Sequence, residues 1–272
     1  MSEFIKVNHF PSIFISSADS YSDLWELFFS LFKKNWPEYN GTIYLNTQEK
    51  TIQVDGLNII CTQVGHLGSF GKTFRAGLDQ VNSESIMLIM IDYFFVDKVA
   101  HDKLNEYFKL FLRENLDSLC LTFQNYPNIV RTSHPEINTV CPPAPYIMFS
   151  YQIAFWKKEI LREMALPHEN PWTSEWYGSL RAQKMSIKLS SIAHERFNPI
   201  AYNLAGCLHK GKWLTDAVEY LSNNQYQVDF KKRGYYTSSP RTFLNRLKLK
   251  WMIIKDGLKG SYWDLCKRTA IN

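Results

Sequence analysis

The sequence has few cysteines, and none of them is arranged for binding a metal. Its five cysteines are an odd number, widely spaced, and no two form a Cys-x-x-Cys pair. They are Cys61, Cys120, Cys141, Cys207 and Cys266. Because structural zinc sites and disulfide frameworks need paired cysteines, we expect reduced thiols, a cytoplasmic setting and no structural zinc.

Long apolar runs and several catalytic signatures are also missing. No segment approaches the ~18 consecutive apolar residues of a membrane-spanning helix, and the residues 1–4 do not open a signal peptide. The patterns Gly-x-Ser-x-Gly, His-Glu-x-x-His and, after a strand, Gly-x-Gly-x-x-Gly do not occur. The sequence therefore predicts a protein that is neither exported by a standard signal nor transmembrane.

What the chain does contain is enough apolar material for a large core. Hydrophobic residues make up 45% of its 272 residues and aromatic residues 15%, which is typical of a folded protein. Its net charge of +5 is concentrated near the end, because residues 231–259 hold nine basic residues against the single acid Asp256. The basic character thus belongs to one segment of the chain.

Strand-like and helix-like segments alternate along the first half of the sequence. The apolar run Ile86–Ile91 is typical of a central strand covered on both faces. Strands are also predicted at 12–16, 42–45, 57–62, 119–121 and 146–151, and helices at 21–34, 71–81, 103–114 and 154–164. The five prolines in 125–145 predict a long irregular segment. This alternation predicts an α/β fold with a mostly parallel central sheet flanked by helices.

Asp92 directly follows the buried strand Ile86–Ile91. Ligands of parallel α/β sheets bind at the carboxyl ends of the strands, so a carboxylate here is placed to hold a metal ion or a ribose hydroxyl. An aspartate that only ends the strand and caps a turn is the structural alternative.

Glu175 lies in an aromatic segment with Trp172, Trp176 and Tyr177. Ser174 is expected to cap a helix beginning here, which would put Glu175 in the first turn. Since apolar surroundings raise the pKa of a carboxyl group, Glu175 is a candidate general base beside a sugar-stacking platform. A glutamate that merely starts a helix explains the pattern equally well.

The segment Gly65–Thr73 is a glycine-rich loop that ends in Gly-Lys-Thr. It resembles a phosphate-binding loop, although His66 stands where that motif requires a glycine. A phosphate-handling enzyme that uses this loop together with Asp92 is therefore a rival interpretation.

The segment 242–259 predicts an amphipathic helix with a basic border. Its apolar positions fall on one side of a helical wheel, and lysines and arginines flank them. They are Phe243, Leu244, Leu247, Trp251, Ile254 and Leu258. This pattern is typical of a helix lying on an anionic membrane, which we expect to bind through 240–259, and a helix packed on its own domain is the alternative. No nucleic-acid partner is predicted.

Several segments, in this order along the chain, resemble bacterial GT-A glycosyltransferases of surface polysaccharide synthesis, which make lipopolysaccharide, O-antigen or capsule. The matching segments are 16–25, Trp36-Pro37 before 43–45, 69–78, 86–95, 170–182, 202–206 and 211–213. The resemblance implies a GT-A-like, Rossmann-related domain over 1–215, with a donor half at 1–125 and an acceptor half at 126–215. A basic helical extension would occupy 216–272.

The resemblance also implies roles for individual residues. Donor binding would fall to Ser17, Asp19, Tyr21, Lys72, Arg75, Asp92 and Tyr93. Acceptor binding would fall to Trp172, Trp176, Gly178, Ser179 and Arg181. Glu175 and Asp92 would be catalytic, with Glu175 as the base of an inverting transfer.

The resemblance leaves the metal open. The superfamily pairs two acidic residues at this strand end, whereas here Ile91 precedes Asp92 and Tyr93 follows it. A single carboxylate, unless Asp97 assists it, is a poor site for Mg²⁺ or Mn²⁺, which bind several oxygens. Lys72 or Arg75 could neutralise the leaving diphosphate instead.

The resemblance implies a glycosyltransferase that moves a sugar from a nucleotide-sugar donor to a glycan acceptor. We expect this acceptor to be lipid-linked, with the basic tail holding the enzyme beside it. The expected location is cytoplasmic and peripheral, at the inner face of the cell membrane. A non-enzymatic membrane-binding module is the second rival.

Overall fold

The computed structural model describes residues 10–141, 148–203, 205–237, 251, 254–255 and 257–260. Its helices are α1 (Ser22–Asn35), α2 (Phe70–Asp79), α3 (His101–Arg113), α4 (Lys158–Met164), α5 (Pro171–Lys184) and α6 (Thr215–Asn223). Its strands are β1 (Ser12–Ser16), β2 (Thr42–Leu45), β3 (Asn58–Cys61), β4 (Ser85–Met90), β5 (Ser118–Cys120), β6 (Ile129–Arg131), β7 (Ile137–Val140), β8 (Ala154–Lys157), β9 (Leu189–Ile192), β10 (Leu208–His209) and β11 (Lys212–Trp213).

Nine strands form one central sheet in the order β3-β2-β1-β4-β8-β5-β9-β7-β6. The strands β3, β2, β1 and β4 are parallel, as is the pair β5 and β9. Strand β8 runs antiparallel between β4 and β5, and β7 and β6 are antiparallel to their neighbours. The α/β class predicted from the sequence is confirmed, with antiparallel strands entering in the second half of the sheet.

Helices cover both faces of the sheet because the strand side chains alternate between them. In β4, Met87 and Ile89 pack into the core beneath α1 and α3, whereas Ile86 and Leu88 pack into the core on the other face. Phe74 of α2 belongs to that second core and is fully buried. This arrangement fixes the carboxyl ends of β1 and β4 side by side.

Two local predictions were wrong. Residues 148–151 of the strand predicted at 146–151 do not form a strand, and 146–147 lie outside the described residues. The helix predicted at 154–164 begins only at Lys158, as α4, because Ala154–Lys157 form β8 and pair with both β4 and β5. Pairing between distant segments overrides a helical pattern of this length. The segment predicted to be irregular also contains the hairpin of β6 and β7.

The region after 215 begins within the main core. Ala217 and Leu221 of α6 are buried in the same cluster as α1, and Phe230 packs against it. Of the predicted amphipathic helix, the residues 242–250, 252–253 and 256 lie outside the described part of the chain. Residues 251, 254–255 and 257–260 are helical. Among the described residues, we find no helix that is both long and apolar enough to cross a membrane.

Candidate active site

A cleft opens at the carboxyl ends of β1 and β4. It consists of two adjoining cavities, of about 240 and 280 Å³, which share Ser17, Ala18 and Phe70. The first is also lined by Asn46, Gln48, His66, Leu67, Gly68, Ser69, Thr73 and Phe74. The second is also lined by Ser16, Tyr21, Met90, Ile91, Asp92, Tyr93, Tyr151, Pro171, Trp172, Glu175, Ala205, Leu208, His209, Lys210 and Gly211. The cleft therefore lies where α/β sheets bind ligands.

Asp92 lies in the second cavity, one turn residue beyond the end of β4. Burial raises the pKa of its carboxyl group to about 6, although the backbone N–H groups of Asp92 and Leu208 donate hydrogen bonds to it. Gly206 packs directly against the Asp92 carboxylate. A Cβ at this position would lie 2.5 Å from Asp92 Oδ2, and the residue has a positive φ of 76°. The segment after Gly206 thus covers and positions the carboxylate.

Glu175 faces the same cavity from α5. Asn170, and not the predicted Ser174, caps this helix, because its side chain accepts the Thr173 N–H at 3.1 Å. Glu175 therefore lies in the second turn. Its Oε1 accepts the Tyr151 N–H at 3.0 Å, and burial raises the pKa of the carboxyl group to about 6.

The hairpin of β10 and β11 contributes basic residues to the cavity that the sequence did not predict. His209, Lys210 and Gly211 line it, and Lys210 and Gly211 form the turn with positive φ values of 51° and 77°. Burial, followed by the nearby charge of Lys210, lowers the pKa of His209. The resemblance at 211–213 included the strand after the turn. The turn itself could not be predicted from the pattern of apolar residues.

Arg233 fastens the segment that follows this hairpin to the start of α1. Its guanidinium pairs with Asp23, and its Nη2 donates to the Ser20 carbonyl at 2.7 Å. It also lies 4.9 Å from the ring centre of Tyr21, a favourable cation–π arrangement. These contacts hold the hairpin region over the cleft.

Of the predicted donor-binding residues, four line the cleft: Ser17, Tyr21, Asp92 and Tyr93. The Ser17 hydroxyl accepts the Trp25 Nε1–H at 2.8 Å. Asp19 instead orders the loop after β2, because its carboxylate accepts the backbone N–H groups of residues 48–50 at 2.9–3.0 Å. Burial works against these bonds, but together they lower the pKa of Asp19.

Lys72 and Arg75 do not line either cavity of the described structure. Arg75 is 7% exposed, donates to the carbonyl groups of Arg162 and Ala165, and pairs with Glu163. A buried charge needs hydrogen-bonding or charged partners, and the Arg75 guanidinium finds them in the region of α4. The residue therefore joins α2 to that region.

Several backbone N–H groups of the loop before α2 and of the first turn of α2 donate within the protein. Ser69 caps α2 by accepting the Lys72 N–H, and the N–H groups of Gly65 and Gly71 donate to the carbonyls of Gln48 and Glu169. A phosphate-binding loop needs such groups directed at the ligand. The geometry therefore does not favour the phosphate-loop alternative.

The predicted acceptor-binding residues divide in the same way. Trp172 lines the second cavity and is 50% exposed. Gly178 and Ser179 are buried, and the Ser179 hydroxyl accepts the N–H groups of Met148 and Phe149. Arg181 pairs with buried Glu169. Neither Arg181 nor half-buried Trp176 lines the two described cavities.

The donor set around Asp92 does not fit a divalent cation on its own. Asp92 and Glu175 are the carboxylates that line the second cavity in the described residues, and Glu175 is anchored to Tyr151. Lys210 adds a positive charge to the same cavity, whereas Mg²⁺ and Mn²⁺ prefer several oxygen ligands. Asp97 does not line it.

A second group of metal-binding residue types lies elsewhere. Glu106, His134 and Glu136 have ligand atoms within 4.8 Å of one another. Lys103 already pairs with both glutamates, and the Tyr107 hydroxyl donates to Glu136 at 2.9 Å. These contacts form an ion-pair network that joins α3 to the turn before β7.

No protein-family model and no curated protein matches the chain. Among solved structures, residues 1–349 of S. aureus TarS are 17% identical with a TM-score of 0.46, covering 70% of this chain and 58% of that one. The same protein in complex with UDP-GlcNAc is 13% identical with a TM-score of 0.42, covering 82% and 68%. Bifunctional IspDF from Campylobacter jejuni is 12% identical with a TM-score of 0.38, covering 70% and 51%.

The matched part of this chain spans 58% and 35% of the first two TarS chains, which is less than two thirds of their length. These likenesses concern chain architecture, and nothing about activity follows from them.

Proposed function

We propose that this protein is a glycosyltransferase that moves a sugar from a nucleotide-sugar donor to an acceptor hydroxyl. The observation that carries the proposal is the pair of carboxyl groups, Asp92 and Glu175, that line one cavity with pKa values raised by burial to about 6. Perturbed carboxyl groups that converge on one concave site are typical of catalytic centres.

The nucleotide is proposed to lie along the first cavity. That cavity is lined by the polar side chains of Gln48 and His66 and by the ring of Phe70. Such a mixture of polar groups and an aromatic face suits a base and a ribose. The sugar would then extend into the second cavity, past Ser17 towards Asp92.

Glu175 is proposed to be the general base. In the transfer, the acceptor oxygen forms a bond to the anomeric carbon, the bond from that carbon to the diphosphate breaks, and the acceptor proton passes to Glu175. A single displacement of this kind inverts the anomeric configuration. With a pKa of about 6, the carboxylate is unprotonated at neutral pH yet basic enough to take the proton.

Lys210 is proposed to stabilise the charge that develops on the leaving diphosphate. It lines the cavity that contains Asp92, whereas Lys72 does not line it and Arg75 is bound to the carbonyl groups of Arg162 and Ala165. A positive charge fixed near the leaving group stabilises the transition state more than the ground state.

The finer assignments are also proposals. The acceptor is a glycan of bacterial surface polysaccharide, carried on a lipid, and the transferred group is a hexose or a related sugar. The enzyme works peripherally at the inner face of the cell membrane. The basic segment near the end of the chain supports this location.

Ligand-induced thermal stabilisation tests the proposal. The purified protein is heated with UDP, GDP, CMP and dTDP sugars and with ATP, because a ligand that binds only the folded state raises Tm. We expect a shift with one class of nucleotide sugar that is reduced by Ser17→Trp, which fills the space shared by the two cavities. A shift with ATP alone would instead support a phosphate-handling enzyme.

A further inference from the structure

The helical residues near the end of the chain lie against α5 through glycine. A Cβ on Gly257 would be 2.5 Å from the Tyr177 hydroxyl, and one on Gly260 would be 3.9 Å from His168 Nε2. Tyr177 lies within α5 and His168 just before it. The segment thus passes α5 towards the end that carries Trp172 and Glu175 into the cleft.

Three large apolar side chains among the described helical residues are exposed to solvent. Trp251, Ile254 and Leu258 are 67%, 56% and 68% exposed. At 100° per residue, they fall within an arc of about 60°, and Gly257 and Gly260 lie roughly 90° and 150° from the centre of that arc. In the described part of this helix, the glycines therefore contact the domain and these three side chains do not pack against it.

Positive charge borders the exposed apolar face. Lys255 and Lys259 are exposed and follow the apolar arc on one side. They belong to the segment 231–259, which holds nine basic residues and one acid. An apolar face that includes tryptophan and is bordered by lysine is complementary to a bilayer with anionic headgroups.

We propose that Trp251, Ile254 and Leu258 insert into an anionic lipid surface, with Lys255 and Lys259 at its headgroups. Because the same helix contacts α5, the docked membrane lies beside the wall of the cleft that carries Glu175. The position of the membrane does not depend on the proposed function. One consequence does rest on that function: a lipid-carried acceptor reaches Glu175 while it remains in the membrane.

Sedimentation of the full-length protein with vesicles tests the proposal. We expect binding to mixed phosphatidylcholine and phosphatidylglycerol vesicles, weak binding to phosphatidylcholine alone, and a steep decline with added salt. The triple variant Trp251→Gln, Ile254→Gln, Leu258→Gln should lower the affinity by roughly a hundredfold, since it removes the inserted apolar area. Lys255→Gln should lower it about fivefold.

The matched control is Ile129→Gln with Val130→Gln, which removes exposed apolar side chains from edge strand β6, where they are 46% and 58% exposed. It should bind vesicles like the unaltered protein. Equal binding by the triple variant would overturn the proposal. The proposal would also be overturned if the unaltered protein bound no vesicles and was a dimer that the triple substitution converted to a monomer. The exposed apolar face would then bind a second copy of the chain.

Vesicle binding needs neither donor nor acceptor, so its failure is distinguishable from failure of the proposed transfer. If transfer to a water-soluble acceptor persists in the triple variant while vesicle binding is lost, both proposals stand. If vesicle binding is normal and no nucleotide sugar is used, only the proposed function fails.

Discussion

Glu175 combines a fixed position with a raised pKa. Tyr151 holds one of its carboxylate oxygens at 3.0 Å, and burial raises its pKa to about 6. A base must lose its proton before it can accept one from the acceptor. Activity should therefore rise as pH increases through about 6 and stay level above it.

Glu175→Gln tests this role at the residue scale. The amide keeps the size of the side chain but cannot take a proton, so we expect kcat to fall by about 10²–10⁴-fold and the rise near pH 6 to disappear. Glu159→Gln is the control, because Glu159 is exposed on α4, with 74% of its side chain accessible. A normal pH profile in Glu175→Gln would show that another group is the base.

Asp92 should reduce stability at neutral pH. Burial raises the pKa of its carboxyl group to about 6, above the ordinary value for aspartate, so the folded state holds the proton more tightly than the unfolded state. Unfolding therefore becomes easier as pH rises from about 4 to about 6, and the loss persists above that range.

Asp92→Asn removes this titration while keeping an oxygen that can accept the Leu208 N–H. We expect the variant to be more stable than the unaltered protein at pH 7.5, by about 1–2 kcal/mol, and equally stable at pH 4. Denaturant unfolding at the two pH values measures the difference. A variant that is less stable at pH 7.5 would show that the charged carboxylate stabilises the fold.

Individual residues show which parts of the candidate site could be predicted from the sequence and which could not. Asp92 and Glu175 were identified because each has a local signal, a strand end and an aromatic helix start. Arg75 and Asp19 were assigned to donor binding only by the resemblance, and their partners, Glu163 and the loop after β2, are distant in sequence. A local sequence pattern does not show whether a polar side chain is already bound to a residue distant in sequence.

At the scale of elements, the hairpin of β10 and β11 is the least expected part of the cleft. It has two residues in each strand and a two-residue turn, so it carries no periodic signal. Its position follows from contacts with α1 and with Asp92 that only the folded chain makes. The strands 42–45 and 85–90, by contrast, were predictable because they are buried apolar runs.

Lys210→Met and Lys212→Met form a matched pair for this hairpin. Lys210 lines the cleft, whereas Lys212, two residues along on β11, does not. We expect Lys210→Met to lower kcat by about tenfold to a hundredfold with little change in the donor KM, because its charge matters most as the diphosphate leaves. Lys212→Met should leave both constants unchanged. Equal effects of the two substitutions would remove Lys210 from the mechanism.

At the scale of the whole molecule, the parallel half of the sheet was predictable and the other half was not. Alternating strands and helices indicate parallel neighbours, and this gives β3, β2, β1 and β4. The placement of β8 between β4 and β5 depends on pairing across long loops. The cleft forms where this second half, through α5, approaches the first.

The central claim is that this cleft transfers a sugar, and release of nucleoside diphosphate tests it most directly. The unaltered protein and Glu175→Gln are each incubated with a panel of nucleotide sugars, and the diphosphate released to water or to an added acceptor is measured over time. The account predicts release from one class of donor and its loss in Glu175→Gln. Release from no donor, or equal release by both proteins, would contradict it.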